Sequence, residues 1–150
     1  MNNKYHPEEV AGGFKFFVPL QIRFSDIDGY MHVNNGVYFN YMEHARALYL
    51  HQVCQWDFLN IGAVVANINL DFYKPVIFFD QLRAYVRCIH LGTSSFSLEQ
   101  VLMGDKENGE TVVFSKAVIT MVAVDLKTMK SSPLPKEYAV KIRQQDGLEA

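Results

Sequence analysis

Charge of one sign is what this sequence most plainly lacks. Its 14 Lys and Arg residues stand against 16 Asp and Glu, a formal net charge of -2 over 150 residues. Such a balance creates no field for nucleic acid or an anionic bilayer, so neither is expected as a partner. Cysteine is also scarce: Cys54 and Cys88 lie far apart without the paired C-x-x-C spacing of a metal site, and they read as reduced, packed thiols. No apolar run approaches the roughly 18 residues of a membrane span. The opening MNNKYHPEEVAGGFKFF has no apolar core of a secretory leader. A soluble cytoplasmic protein is the expectation. Also missing are G-x-G-x-x-G, the P-loop, H-E-x-x-H and G-x-S-x-G, which argues against dinucleotide, nucleoside triphosphate, zinc-peptidase and serine-hydrolase chemistry. No metal and no cofactor are expected.

The composition that remains, 49% hydrophobic and 13% aromatic, suffices for one domain with a true core. Residues 1–150 are therefore read as a single domain, with a core over about 15–125 and a polar C-terminal tail over about 131–150. Residues 15–25 (KFFVPLQIRFS) are β-prone, with Phe17, Leu20, Ile22 and Phe24 as apolar positions and Pro19 favouring an edge. GVYFNYMEHARALYLHQV then places Tyr38, Tyr41, Met42, Ala45, Leu48 and Tyr49 at helical spacing, one long amphipathic helix capped by Asn34 or Asn35. In AVVANINLDFY, Val64, Ala66, Ile68, Leu70 and Phe72 alternate with Asn67, Asn69, Asp71 and Tyr73, a strand with one core face and one polar face. QLRAYVRCIHL, SSFSLEQVLM and TVVFSKAVITMVAV follow as three strands of a meander, and the Pro-containing tail adds a short helix. The order β-α-β-β-β-β predicts an α+β fold, a five-stranded antiparallel sheet wrapped around the long helix. The polar face of the second strand then needs water or a partner subunit.

The most polar stretch is FSDIDGYMHVNN, residues 24–35, which carries more carboxylate, imidazole and amide than a turn requires. With its flanks, RFSDIDGYMHVNNGVY resembles the catalytic loop of hotdog-fold thioesterases of the 4-hydroxybenzoyl-CoA thioesterase-like superfamily. It is similar to the D-x-D of bacterial acyl-CoA thioesterases and to the D-x-x-x-H-V-N-N of plant acyl-ACP thioesterases. Glu43-His44-Ala45-Arg46 resembles the helix E-x-A-R of that family, and Leu70-Asp71-Phe72-Tyr73-Lys74-Pro75 its strand-two ending. The similarity runs from about residue 17 to residue 124. Two departures stand out: Tyr30 replaces the Asn of the plant pattern, and Met31 replaces the Gly that many bacterial members carry.

The resemblance implies a hotdog-fold acyl-CoA thioesterase with Asp28 and His32 as catalytic residues and Tyr38, Asn34 and Asn35 near the substrate. It also implies a site between two protomers, in which the start of another chain's second strand (Val65, Ala66 and Asn67 among its residues) faces Asp28. The partners implied are acyl-CoA and further copies of the chain, as a dimer or a dimer of dimers. An acyl-ACP thioesterase and a non-catalytic acyl-CoA-binding hotdog protein are the alternatives. The residue types suit the chemistry. An ionised Asp orients water or attacks the carbonyl itself, and the open N–H groups of a helix N-terminus receive the oxyanion. Asp26 reads as structural, through an Asx turn or Arg23; Asn34 and Asn35 read as caps; Glu43 is the alternative carboxylate if Asp28 is not used.

Overall fold

The computed structural model describes residues 5–149. Along the chain run α1 (Pro7–Gly13), β1 (Phe16–Leu20), a 3-10 turn (Phe24–Asp26), α2 (Asn35–Cys54), β2 (Ile61–Phe72), β3 (Gln81–Leu91), β4 (Ser95–Asp105), β5 (Thr111–Asp125), β6 (Lys130–Ser131) and α3 (Lys136–Asp146). Five strands form one antiparallel sheet in the order β1-β3-β4-β5-β2, and the two-residue β6 adds to β5.

The sheet curls around α2 because that helix is apolar along one stripe and must bury it. Tyr38, Tyr41, Met42, Ala45 and Tyr49 face the sheet, where Val18, Ala84, Leu98, Leu102, Ile119 and Met121 close the same core. The Gln100 side chain of β4 donates to the Met42 carbonyl at 2.9 Å and fastens sheet to helix. Asn34 caps α2, its side chain accepting from the Gly36 N–H, and Gln55 ends it in the left-handed conformation. Cys54 and Cys88 are buried free thiols, both pushed up by burial, to about 11 and about 12.

Several strand details differ from the sequence expectation. In β1 the inward residues are Phe16 and Val18, while Phe17 faces out and stacks on Tyr85 at 5.1 Å. Phe24 leaves the strand altogether and is 76% exposed. In β2 a bulge falls between Val65 and Asn67, so the inward set is Ile61 and Ala63 before it and Ile68, Leu70 and Phe72 after it. The bulge leaves Val64 and Ala66 exposed, where unbroken alternation would bury them. Finally, the C-terminal segment is not purely polar: Leu134, Tyr138 and Ile142 join the main core. Asp146 of α3 accepts from the Tyr49 hydroxyl and from the Cys88 N–H. At the other terminus, Val10 and Phe14 pack with Tyr85, Val101, Met103 and Val113 in a separate apolar cluster.

Candidate active site

The loop from Ile27 to Val33 is held at both ends before any side chain is considered. Ile27 bridges Val33, and His32 bridges Ile77 on the segment that follows β2. The Asp28 N–H donates to the His32 carbonyl at 2.8 Å, and the Asn34 N–H donates to the Asp26 carbonyl at 2.9 Å. Within this frame Asp28 Oδ1 accepts from the Tyr30 N–H at 2.9 Å and from the His32 N–H at 3.4 Å, an Asx turn. Among the described residues Oδ2 receives no hydrogen bond and is available to a ligand.

Asp26, two residues earlier, has a different task. It is 3% exposed. Its Oδ2 accepts from the Tyr41 hydroxyl at 2.6 Å and from the Arg23 N–H at 3.0 Å, and the Arg23 guanidinium lies 3.3 Å from Oδ1. Burial pushes the Asp26 carboxyl up, but the Tyr41 hydroxyl and the Arg23 N–H and guanidinium outweigh it and hold the group below the ordinary carboxylate value. Asp26 thus ties the loop entrance to the second turn of α2, as its structural reading expects.

A cleft of about 390 Å³ opens beside Asp28, and His32, Asn35, Tyr38, Phe72 and Lys74 contribute to its walls. Tyr38 lies at the base, 2% exposed, with its ring edge 5.0 Å from Phe72 and its hydroxyl accepting from the Val76 N–H at 3.2 Å. Burial pushes its phenol up, and nearby Asp80 adds to the shift while the Val76 N–H opposes it. The expectation that first-turn N–H groups serve as donors narrows here. The Gly36 N–H is taken by Asn34 Oδ1 and the Val37 N–H by the Asn34 carbonyl. That of Asn35 is left open among the described residues, and it belongs to a residue lining the cleft.

The loop and α2 residues singled out from sequence therefore meet, with Asn34 as the cap behind them. Val65, Ala66 and Asn67 of the same chain do not line this cleft, which takes its β2 contribution from the opposite end of the strand, Phe72 and the Tyr73-Lys74-Pro75 that follows. Lys74 and Pro75 were visible in the family-like strand ending but carried no assigned role. Of the basic residues, Arg83 is paired with Asp105 at 2.9 Å and Arg87 with Glu99 at 2.6 Å, so Lys74 is the cation the cleft offers. Among the described residues no group of three or more His, Cys, Asp or Glu could hold a metal ion. No helix among them is long and apolar enough to cross a membrane.

The sequence profile of the thioesterase superfamily matches residues 30–110, from inside this loop through the first three long strands. The chain belongs to that superfamily. It is 35% identical over 128 residues to the long-chain acyl-CoA thioesterase FadM of Escherichia coli, covering 83% of this chain and 95% of that protein. A thioesterase from Thermus thermophilus, solved with coenzyme A and zinc, is 33% identical with a TM-score of 0.77, covering 92% of this chain and 98% of that one. A mutant 4-hydroxybenzoyl CoA thioesterase complexed with 4-hydroxybenzoyl CoA superposes with a TM-score of 0.79 at 15% identity, over 85% of this chain and 97% of that one. That last likeness is one of fold. The protein is a hotdog-fold thioester hydrolase, and its α+β architecture is the one its element order predicts.

Membership also gives meaning to Met31. Its φ is 63°, in the left-handed region that a side chain disfavours, at the position where many bacterial family members carry Gly. Met31 is 57% exposed, so its side chain has little packing to lose. Met31→Gly should therefore raise stability by roughly 0.5–1 kcal/mol, read as a higher midpoint in thermal unfolding; a lower midpoint would show that the Met31 side chain holds the loop. For Asp26 the sign follows from its lowered value. The carboxylate stabilises the fold above the unfolded-state pKa, and that contribution is lost as pH falls through the lower folded-state value. Asp26→Asn should be less stable than wild type at pH 7 by about 1–3 kcal/mol, with the gap closing below about pH 4. Denaturant titrations across that range check this, and a gap independent of pH would contradict it.

Proposed function

We propose that the protein hydrolyses acyl-CoA thioesters to the free acid and CoA, with Asp28 as the carboxylate that directs the reaction. The observation that carries this reading is the junction of loop and helix: a carboxylate oxygen without a partner and an open helix N–H border the same cleft. In this arrangement the thioester carbonyl oxygen points at the Asn35 N–H, where the positive end of α2 favours the developing oxyanion; such a donor is worth about 3 kcal/mol when preorganised. Asp28 Oδ2 either takes a proton from an attacking water or attacks the carbonyl carbon to give a mixed anhydride that water then opens. In both routes the electron pair returning from the tetrahedral intermediate expels the CoA thiolate. His32 lines the cleft and positions the water or the thioester, Tyr38 closes the base, and Lys74 is available to a phosphate of CoA. The acyl-CoA class is supported by the relatives, one named for long-chain acyl-CoA and another solved with coenzyme A.

The assembly belongs to the same proposal: a homodimer at least, formed along the free edge of β2. That strand is 12 residues long, pairs only with β5 among the described residues, and leaves Val64 and Val65 each about 40% exposed. An unpaired edge of this length is a template for another strand. Antiparallel pairing of two β2 strands about a two-fold axis near Asn69 would set the partner subunit's Val65, Ala66 and Asn67 opposite Tyr73, Phe72 and Asp71, beside the Asp28 cleft. In this way Val65, Ala66 and Asn67 would reach the site from the second chain.

The test is release of CoA thiol from a panel of short, long, branched and aromatic acyl-CoAs by wild type, Asp28→Asn and Glu43→Gln. Asp28→Asn should lose at least about 100-fold in kcat while unfolding at an unchanged temperature, and Glu43→Gln should keep most of the activity. Full activity in the Asp28 variant with loss in the Glu43 variant would overturn the assignment.

A further inference from the structure

The segment after β2, against which the Asp28 loop rests, ends in a buried carboxylate of its own, Asp80, whose side chain is fully enclosed. Its Oδ2 accepts from the Ile77 N–H at 2.8 Å and from the Lys106 ammonium at 3.1 Å. Oδ1 is buried and meets no donor among the described residues. A half-satisfied carboxylate in the interior is a costly way to close a turn, so stability alone does not explain its presence. Its contacts reach further than the turn. The Asp80 N–H donates to the Ile77 carbonyl at 3.1 Å, which closes residues 77–80 on themselves. Ile77 bridges His32, the Val76 carbonyl receives the Val33 N–H at 2.8 Å, and the Val76 N–H donates to the Tyr38 hydroxyl at 3.2 Å. The far side of the Asp28 loop and the tyrosine at the cleft base thus rest on two consecutive residues that Asp80 fixes.

The ion pair ties in a further wall of the same cleft. Lys106 lies 5.2 Å from the centroid of the Phe114 ring, and the Phe114 carbonyl receives the Tyr73 and Lys74 N–H groups at 2.8 and 3.2 Å. Tyr73 and Lys74 both line the cleft. We propose that Asp80 is a positioning residue of the candidate site: through the Ile77 N–H it sets the backbone that supports His32, Val33 and Tyr38, and through Lys106 it links that backbone to β5, from which Tyr73 and Lys74 hang. This role rests on the hydrolysis proposed above at the same cleft. Asp26 and Asp80 then divide the work. Asp26 pins the entrance of the loop to α2, and Asp80 fixes the segment on which its exit rests. A displacement of about 1 Å in such a frame costs a reaction on the order of 100-fold, so loss of Asp80 falls on the chemical step more than on substrate capture.

The experiment compares Asp80→Ala, Asp80→Leu and Asp80→Asn with wild type, and uses Ile142→Ala, a core truncation in α3, as the control for lost stability alone. Release of CoA thiol is followed well below every unfolding midpoint. Asp80→Ala and Asp80→Leu leave the Ile77 N–H without its acceptor, and each should lose at least about ten-fold in kcat with KM within about two-fold of wild type. Asp80→Asn keeps an acceptor for that N–H and should recover kcat to within about three-fold of wild type. Ile142→Ala should unfold at a lower temperature and keep its kcat. A second readout does not depend on turnover. Measured against the amides of β4, hydrogen exchange at Val33 and Val76 should quicken at least about ten-fold in Asp80→Ala or Asp80→Leu and stay unchanged in Ile142→Ala. Lys106→Ala, which spares the Ile77 contact, should quicken exchange at Tyr73 and Lys74, and it decides the matter if neither Asp80→Ala nor Asp80→Leu folds. If wild type releases no thiol from any acyl-CoA, the hydrolase reading fails and exchange alone decides this inference. Wild-type kcat in the variants without an acceptor, a loss in Asp80→Asn as deep as theirs, an equal loss in Ile142→Ala, or unchanged exchange at the named amides would each overturn the proposal.

Discussion

The carboxylate of Asp26 is the point on which the candidate site hangs. Tyr41, in the second turn of α2, and Arg23, ahead of the loop, both donate to it, while its own backbone carbonyl receives the Asn34 N–H at the helix cap. Three places far apart in the loop's path are thereby fixed to one buried residue. Asp28, lying between two pinned ends, has little freedom left, and the Asx turn through its Oδ1 uses the rest. Preorganisation of this kind is what the proposed hydrolysis by one carboxylate and one N–H requires, because no ordering would remain to be done when substrate arrives.

Placement of that junction depends in turn on the sheet. α2 has one apolar stripe, and a curled antiparallel sheet covers it, so the N-terminus of the helix emerges beside the end of β2. The β2 strand joins the candidate site to the proposed dimer: its C-terminal end walls the cleft of Asp28, and its free edge is the one the second chain would take. A strand that is long, at the edge and bulged in the middle is suited to serve two surfaces at once.

Much of this was legible in the chain itself. The spans of β3, β4 and β5 follow from alternation between turn residues, and α2 follows from the recurrence of Tyr38, Tyr41, Met42, Ala45 and Tyr49. What the pattern misjudged has local physical causes. Both faces of β1 carry large apolar residues, since Phe17 stacks on Tyr85 outside the core, so periodicity could not say which face turns inward. The bulge in β2 has no signature among Val, Ala and Asn, and it reverses the facing of every residue before it. The short α1 depends on Phe14 and Val10 meeting Tyr85 and Val113, contacts between distant parts of the chain that no local pattern encodes. At the candidate site, the choice of Asp28, His32 and Asn35 rested on family-like spacing together with plausible chemistry, and the three line one cleft. Lys74 and the capture of the Gly36 and Val37 N–H groups became visible only in three dimensions.

The most direct measurement is a crystal structure of the protein with an acyl-CoA ketone analogue, in which a methylene replaces the thioester sulfur. The account predicts the ketone oxygen about 3 Å from the Asn35 N–H and Asp28 Oδ2 within reach of the carbonyl carbon or of a water on it. A ketone bound against Glu43, or anywhere remote from the Asp28 loop, would contradict it.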